Sequence, residues 1–463
     1  MNRQEKREKK KKDRGIVDFL MIQNHFFPNF KQWIEEMLDP RHPSYTIYTQ
    51  KDLVYMGILK NICSIESMRQ MDEKFNEDTC IKTMQKMTGN QKLEEMPHYD
   101  TLNYYLERLS PECLSILRKK MITSLIRGKQ FYRGRLLGKY WRVILDGTGV
   151  SYFTEKHCEN CLKENKVLRD GRTITVYYHK VLEAKLVLSD RIVVSLGTEF
   201  IENESEQVGK QDCEMNAAKR LVARLKKEYP RLPICLQGDG LYATEPMMEI
   251  CRLNNWKYIF SHKMQRLVAE SYDLLTEAEG KVELDGIGAE KGKGAFYNHV
   301  DELAGKTEKM HVYEYNYVKQ VKGENKELHF QWLTNIELTK RNLSEMIAAG
   351  RGRWKIENEG FNNQKNGLYQ IQHLNSRNRN ESASKRPFIQ TTRRLNGQTT
   401  KQPLSELAGK VELDVLEILL RHLQDISRVS KEDIAAFTIL SHVLILTFLE
   451  IVKLRFVVTL YPA

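Results

Sequence analysis

The segment Trp141-Arg-Val-Ile-Leu-Asp146 marks the point where the sequence changes from a helical to a β pattern. It is a short apolar run that ends in an acid before Gly147. A second such run, Leu232-Pro-Ile-Cys-Leu-Gln-Gly-Asp239, also ends in an acid. Short apolar, β-branched runs are typical of buried strands. The sequence therefore predicts two strands that deliver carboxylates, and such strand ends can meet at one edge of a sheet.

The elements around these strands indicate a mixed α/β fold. Strand-like runs come first in a meander and then alternate with helices, which favours a mixed sheet. Between 263 and 334 a Gly/Lys/Glu-rich stretch and a hairpin pattern, Val312–Val318 with Leu328–Leu333, predict a β-rich insertion. The other predicted elements are strands at 173–179, 184–188, 191–196 and 256–262, and helices at 212–228, 245–253 and from about 343.

The flanks of the sheet region differ from it in pattern. Residues 1–24 form a basic arm, which contacts phosphates or serves only as a solubilising tail. Residues 25–138 carry Leu, Ile and Met at helical spacing, which predicts either a helical DNA-binding region or a plain helical bundle. Residues 376–410 are a polar linker and 411–463 hold C-terminal helices. The apolar run 435–449 is too short and too interrupted for a membrane span.

Composition narrows the function classes. The chain has 463 residues, a formal net charge of +12 and a pI near 9.1. This balance favours a polyanionic partner, with nucleic acid as the first candidate. Eight cysteines without regular spacing do not indicate a disulfide scaffold, so reduced thiols in a cytoplasmic protein are expected.

Three acids form the central constellation: Asp146, Asp239 and Glu357. The first two end predicted strands and the third lies on a predicted helix after the β-rich insertion. Carboxylates brought together in this way can hold two Mg²⁺ or Mn²⁺ ions, which prefer oxygen ligands and support phosphoryl transfer. For Asp146 alone, a turn cap before Gly147 is the structural alternative.

The motifs around these acids resemble those of bacterial insertion-sequence DDE transposases, in the group with a Tyr-Arg-Glu-Lys signature. The resemblance spans about residues 97–375. It implies an RNase H-like core in two parts, 139–262 and 335–375, interrupted by the insertion. It also implies two catalytic metal ions, binding of terminal inverted repeats and target DNA, cut-and-paste transposition by a homodimer on DNA, and a nucleoid-associated location. The motifs are Ile144-Leu-Asp-Gly-Thr148, Gly238-Asp-Gly-Leu-Tyr-Ala243 and Arg353-Trp-Lys-Ile-Glu-Asn-Glu-Gly-Phe-Asn-Asn-Gln-Lys365, with Thr198-Glu-Phe-Ile-Glu-Asn203 and Lys210-Gln-Asp-Cys-Glu214 between them.

Carried onto this sequence, the resemblance makes Asp146, Asp239 and Glu357 the catalytic metal ligands and Arg353 the signature arginine. Glu359 is a rival third ligand.

Two positions depart from the signature: Gly350 stands where tyrosine is expected, and Gln364 where lysine is expected. Lys365, one place later, is the candidate for the DNA backbone.

An aromatic of the insertion is expected to stack on a flipped base, and Trp332 is the candidate. Its alternative role is core packing in the hairpin.

Two further functions stay open. A transposase-derived DNA-binding protein without catalysis would explain the departures at Gly350 and Gln364. Cys158 and Cys161, preceded by His157, have metal-ligand spacing, and a structural zinc or a zinc-dependent regulator would use them. The second cysteine pair of a closed zinc site is missing from the sequence, and His179 is the nearest other nitrogen ligand.

Overall fold

The computed structural model describes residues 19–63, 65, 68–129, 131–156, 160–189, 192–203, 208–261, 280–285, 291–301, 309–321 and 324–366. In these ranges a helical region precedes a large mixed sheet flanked by helices. The predicted mixed α/β class is confirmed at this level. The predicted arm up to residue 18, the predicted linker and the predicted C-terminal helices lie outside the described residues.

The described part of the helical region contains a helical segment at residues 19–26 and six further helices, which share an apolar interior. At the start of the helix Pro111–Arg127, Ser110 accepts a hydrogen bond from the Glu112 amide and Pro111 occupies the first turn, a standard helix start. The helices are α1 (Phe30–Glu35), α2 (Gln50–Ile62), α3 (Met68–Phe75), α4 (Asp78–Thr88), α5 (Tyr99–Arg108) and α6 (Pro111–Arg127).

Helical structure is already present before residue 24, the predicted end of the basic arm. Residues 19–26 are helical, and Phe19, Ile22 and Gln23 are buried. Gln23 accepts a hydrogen bond from the Tyr55 hydroxyl at 2.5 Å. The folded region therefore begins by residue 19, because these side chains complete the helical core.

The described part of the chain forms one sheet of ten strands. The strands are β1 (Trp141–Phe153), β2 (Leu162–Val167), β3 (Thr173–Val187), β4 (Val193–Ile201), β5 (Ile234–Gly238), β6 (Lys257–Ser261), β7 (Gly280–Asp285), β8 (Lys291–Tyr297), β9 (His311–Val321) and β10 (Glu324–Thr334). Nine of them follow the order β2-β3-β1-β5-β6-β10-β9-β8-β7 across the sheet, and β4 pairs with β3 off this path.

Strand β1 sits at the change from antiparallel to parallel pairing. It pairs antiparallel with β3 along most of its length, and parallel with β5 from Trp141 to Ile144. The prediction that this strand ends at Asp146 is wrong: it continues to Phe153, because β3 still offers a partner there. The predicted strands 173–179 and 184–188 are one strand, β3, because residues 180–183 between them also pair with β1.

The predicted bounds of the two crossover helices agree with the structure within two residues. Helix α7 (Glu214–Glu228) joins β4 to β5, and α8 (Glu245–Leu253) joins β5 to β6. Both bury an apolar stripe; that of α7 contains Ala217, Leu221 and Leu225.

The insertion extends the same sheet. The predicted hairpin is confirmed as β9 and β10, which pair from Val321↔Glu324 to His311↔Thr334. Strand β10 then pairs antiparallel with β6, while β8 and β7 add beyond β9.

After β10 the chain forms α9 (Leu343–Arg351), a 3₁₀ turn (Gly352–Trp354), a π-helix (Ile356–Phe361) and α10 (Asn362–Asn366). Within the described ranges, no helix is long and apolar enough to cross a membrane.

Candidate active site

Asp146 and Asp239 lie at the same edge of the parallel part of the sheet. The last residue pair between β1 and β5 is Ile144 with Gln237, and each acid stands two residues beyond it. The predicted meeting of the two acids therefore has a simple basis: two adjacent parallel strands carry them to the same level. The loop after β5 orients the Asp239 side chain, because its Oδ1 accepts a hydrogen bond from the Leu241 amide at 2.9 Å.

Asp146 is a partly desolvated carboxylate among other charges. Its side chain is 22% exposed, and Oδ2 lies 3.6 Å from Nη1 of Arg353. Its Oδ1 accepts a hydrogen bond from the Gly147 amide at 2.9 Å. Burial raises the pKa of Asp146 to about 6. The positive charge of Arg353 lowers this pKa, and the negative charges of Glu214 and Asp239 raise it. The site thus concentrates negative charge that a cation would neutralise.

Glu214 is a third acid at this site, in addition to Asp146 and Asp239. The sequence pattern assigned it no role. It is the first residue of α7, and its carboxylate accepts hydrogen bonds from the Tyr242 hydroxyl at 2.7 Å and from Lys180 Nζ at 2.5 Å. A Cβ atom added at Gly147 would collide with this carboxylate, so the Glu214 side chain would have to move to accommodate a larger residue there. The only sequence signal was its place in the motif Lys210–Glu214.

Lys180 and Tyr242 complete the polar surroundings. The hydrogen bond and charge of Glu214 outweigh burial and raise the pKa of Lys180, so it stays a cation. Burial, followed by the charge of Glu214, raises the pKa of Tyr242 above its usual range, so it stays a neutral donor. Lys180 is therefore a second cation, after Arg353, close to the carboxylates.

Arg353 and Glu357 lie on one continuous turn of chain, but not on the regular α-helix that was predicted. Arg353 belongs to the 3₁₀ turn and Glu357 to the π-helix. π-Helical segments are rare and often occur at functional sites. The segment is held against β1 by Ile356, which shares a small apolar cluster with Ile144.

Glu357 itself is exposed, while its rival Glu359 is partly buried with its carboxylate 4.0 Å from Lys355. Lys365 is partly buried, and its ammonium lies 5.7 Å from the centre of the Phe361 ring. In the described ranges, no group of three or more His, Cys, Asp and Glu side chains is arranged to hold a metal ion. The structure brings Asp146, Asp239 and Arg353 together, whereas Glu357 is an exposed side chain four residues after Arg353.

Trp332 has the packing role rather than the base-stacking role. It is 2% exposed and stacks on Tyr313 and Phe330, with ring centres 5.0 and 5.9 Å away. A Cβ atom at Gly350 would lie 2.6 Å from its indole. The glycine at the signature tyrosine position thus gives room to Trp332, and the prediction of a DNA contact by Trp332 does not fit its buried position.

Trp354, one residue after Arg353, is an exposed aromatic to which the sequence pattern assigned no role. Its side chain is 55% exposed, and its ring centre lies 4.6 Å from the Arg353 guanidinium carbon. Gln364, at the signature lysine position, is 1% exposed and cannot contact DNA there.

The predicted zinc ligands are only partly described. Cys158 and His157 lie outside the described residues. Cys161 is buried, and its Sγ lies 3.4 Å from Nε2 of His179.

A scan of the chain against protein-family models gives no match, and a search of curated proteins gives no significant match.

Proposed function

We propose that this chain is a metal-dependent DNA transposase of the DDE type. The observation that carries the proposal is the placement of Asp146 and Asp239 at one level of two adjacent parallel strands, with the Arg353 guanidinium 3.6 Å from Asp146. The resemblance of all three acidic motifs to those of insertion-sequence transposases supports it, as does the net charge of +12.

The arrangement of strands supports an RNase H-like core. Strands β4, β3 and β1 form an antiparallel meander, and β5 and β6 continue it in parallel with a helix before each. The insertion of β7–β10 precedes the segment that carries Arg353 and Glu357, in the order that the resemblance implies.

The residues present fit a divalent cation. Asp146 and Asp239 offer oxygen ligands. Asp146 is little exposed and lies beside Glu214, so a cation would balance the negative charge of these carboxylates. In this proposal Asp146 and Asp239 would hold the metal ions, with Glu357 as the third ligand. Bound metal ions would activate the attacking hydroxyl or water and stabilise the leaving oxygen.

Arg353 and Lys180, the two cations at the site, would attract the phosphates of DNA. Arg353 is 15% exposed and can pair with a phosphate through its planar guanidinium group, which would fix the DNA backbone at the carboxylates. Lys180 is held by Glu214 and supports the same electrostatic attraction for phosphate. Glu214 is a positioning residue for Lys180 and Tyr242.

Trp354 is an exposed aromatic beside the proposed phosphate-binding arginine, suited to stacking on a DNA base. It stands one residue after Arg353 with more than half of its surface exposed. Stacking of a base on such a ring contributes about 1–3 kcal/mol. Trp354→Ala should therefore weaken DNA binding by roughly 5- to 150-fold.

The test uses labelled duplexes that carry the inverted repeats flanking the coding region, with Mn²⁺. Asp146→Ala, Asp239→Ala and Glu357→Ala should each abolish cleavage and leave DNA binding intact. Asp170→Asn, at an exposed turn, is the matched control and should cleave normally. Cleavage by Asp146→Ala would refute the assignment. A wild-type protein that binds these ends but never cleaves them would favour the DNA-binding protein without catalysis.

The third ligand needs its own comparison. Glu357→Ala and Glu359→Ala should differ, with cleavage lost only in the first. The reverse result would transfer the third-ligand role to Glu359.

A further inference from the structure

Two buried polar side chains lie against the two ends of the segment that carries Arg353 and Glu357. Gln237 of β5 is 1% exposed and Lys185 of β3 is 2% exposed. The proposed transposase chemistry uses neither residue. Burying a polar side chain costs free energy unless the side chain makes specific contacts, so the contacts of these two residues explain why they are there.

The two side chains belong to one row across three strands. Ile144 of β1 pairs with Gln237 of β5 on one side and with Lys185 of β3 on the other. Residues paired in this way project from the same face of a sheet, so the three side chains stand next to one another. Ile144 also packs with Ile356 and Phe361 in one apolar cluster. The row is therefore the surface on which the segment rests.

Gln237 holds the beginning of the segment. Its Nε2 donates a hydrogen bond to the carbonyl oxygen of Ala349 at 2.8 Å. Ala349 lies in the last turn of α9, four residues before Arg353. The buried Oε1 of Gln237 has no hydrogen-bond partner among the described residues, which costs free energy. Methionine would fill a similar volume without that cost, so the bond to α9 is what distinguishes glutamine at this position.

Lys185 contacts the end of the segment. Its Nζ lies 5.9 Å from the centre of the Phe361 ring, and a Cβ atom added at Gly360 would lie 3.4 Å from its Cε. Gly360 and Phe361 are the last two residues of the π-helix, in which Glu357 is the second. Lys185 therefore contacts the chain just after Glu357.

The ammonium group of Lys185 is fixed by a buried network. Glu183 lies 2.9 Å from it and also accepts hydrogen bonds from the Ser195 hydroxyl at 2.6 Å and the Thr198 hydroxyl at 2.5 Å. Apolar residues of similar volume often stabilise a fold as well as a buried ion pair does. Directed hydrogen bonds, in contrast, favour one arrangement of their members. The network thus defines the position of Lys185 more sharply than apolar packing would.

We propose that Gln237 and Lys185 are positioning residues that fix the segment from α9 through the π-helix on β1. Gln237 sets the place of Arg353 beside Asp146, and Lys185 sets the place of Glu357. The consequence for cleavage rests on the proposed transposase function, whereas the ordering of the segment does not.

Hydrogen exchange of the full chain, measured by mass spectrometry without metal or DNA, tests the ordering directly. In Gln237→Met, amides of residues 350–361 should exchange about 3- to 10-fold faster, the factor expected when one buried hydrogen bond is lost. Amides of α7 should exchange as in the wild-type chain. Unchanged exchange of residues 350–361, or an equal acceleration in α7, would overturn the proposal.

The matched control is Gln331→Met, which replaces a buried glutamine of β10. The next residue, Trp332, faces α9 at Gly350, so the Gln331 side chain projects from the opposite face of the sheet. This variant should leave the exchange of residues 350–361 unchanged. A control with the same acceleration as Gln237→Met would also overturn the proposal.

The lysine is tested in the double variant Glu183→Gln and Lys185→Met, which leaves no unpaired buried charge. Amides of residues 356–361 should exchange at least about threefold faster, with amides of β9 and β10 as the internal reference for global stability. Unchanged exchange of residues 356–361 would overturn the role of Lys185.

Cleavage of the inverted-repeat duplexes with Mn²⁺ tests the consequence for the reaction. Gln237→Met and the double variant should cleave about 10- to 100-fold more slowly at saturating DNA, because a displacement of about 1 Å at the reacting groups has this effect. The Mn²⁺ concentration for half-maximal cleavage should rise in the double variant, since Glu357 is the proposed third ligand. A general loss of folded protein would lower the rate without changing that concentration.

The outcomes separate the two proposals. Gln331→Met should cleave normally. Wild-type rates and an unchanged Mn²⁺ dependence in the variants would overturn the positioning role, even if exchange is faster. A wild-type chain that does not cleave would refute the transposase function, and the exchange data would still decide whether Gln237 and Lys185 order the segment.

Discussion

Asp146→Asn is expected to stabilise the metal-free protein at neutral pH. Burial raises the pKa of Asp146 from 3.8 to about 6, so the ionised form is disfavoured in the folded state. With about 1.4 kcal/mol per pH unit, this difference corresponds to about 3 kcal/mol. The side chain is 22% exposed, which limits screening by solvent. Asparagine carries no charge, so the free energy of unfolding should rise by up to about 3 kcal/mol.

The pH dependence of this gain follows from the direction of the shift. A carboxyl with a raised pKa destabilises the fold once it is ionised, and the destabilisation is complete above about pH 6. As the pH falls through 6, the folded state takes up the proton while the unfolded chain stays ionised until near 3.8. The gain from Asp146→Asn should therefore shrink to about half at about pH 5.

The assay is urea unfolding followed by circular dichroism, with EDTA present, at several pH values. A double-mutant cycle sharpens it: since Glu214 contributes to the raised pKa, the gain should be smaller in a Glu214→Gln background. Asp170→Asn, at an exposed position, should change stability little. A variant less stable than wild type near pH 7.5, or a gain that grows as the pH falls, would refute the reasoning.

Two further predictions concern packing. Gly350→Ala should lower the free energy of unfolding by about 1–3 kcal/mol, because its Cβ would lie 2.6 Å from the buried Trp332 indole. The control Gly57→Ala, in open space on α2, should be neutral or stabilising. Equal effects of the two variants in thermal unfolding would contradict this prediction. Lys185→Met should cost about 3–5 kcal/mol in urea unfolding, since it leaves the Glu183 carboxylate, 2.9 Å away, buried without its cation. The double variant with Glu183→Gln should recover part of that loss, and a single variant as stable as wild type would rule out the role of the pair.

The parts of the site that the sequence predicted are those set by local pattern. Apolar runs that end in acids predicted the strands before Asp146 and Asp239, and adjacent parallel pairing then places both acids at one level. The hairpin β9–β10 and the helices α7 and α8 were also readable, because their apolar periodicity is strong.

The missed parts depend on contacts between distant segments. Strand β2 is polar along most of its length and exists because β3 offers a pairing edge. Glu214 lies far from the acids in sequence, and only the packing of α7 brings its carboxylate to Gly147. Trp332 and Trp354 have the same side chain, and only burial distinguishes a core residue from an exposed one.

The sequence by itself determined the mixed α/β class, the order of β1, α7, β5, α8, β6 and the hairpin β9–β10, and the two aspartates, because these follow from periodicity and from residue type at strand ends. The tertiary structure decided which side chains share a site. It added Glu214 and Lys180 to Asp146, placed Trp332 in the core against Gly350, and set Cys161 beside His179. Such placements depend on register and helix docking across long separations in the chain, which a local pattern does not encode.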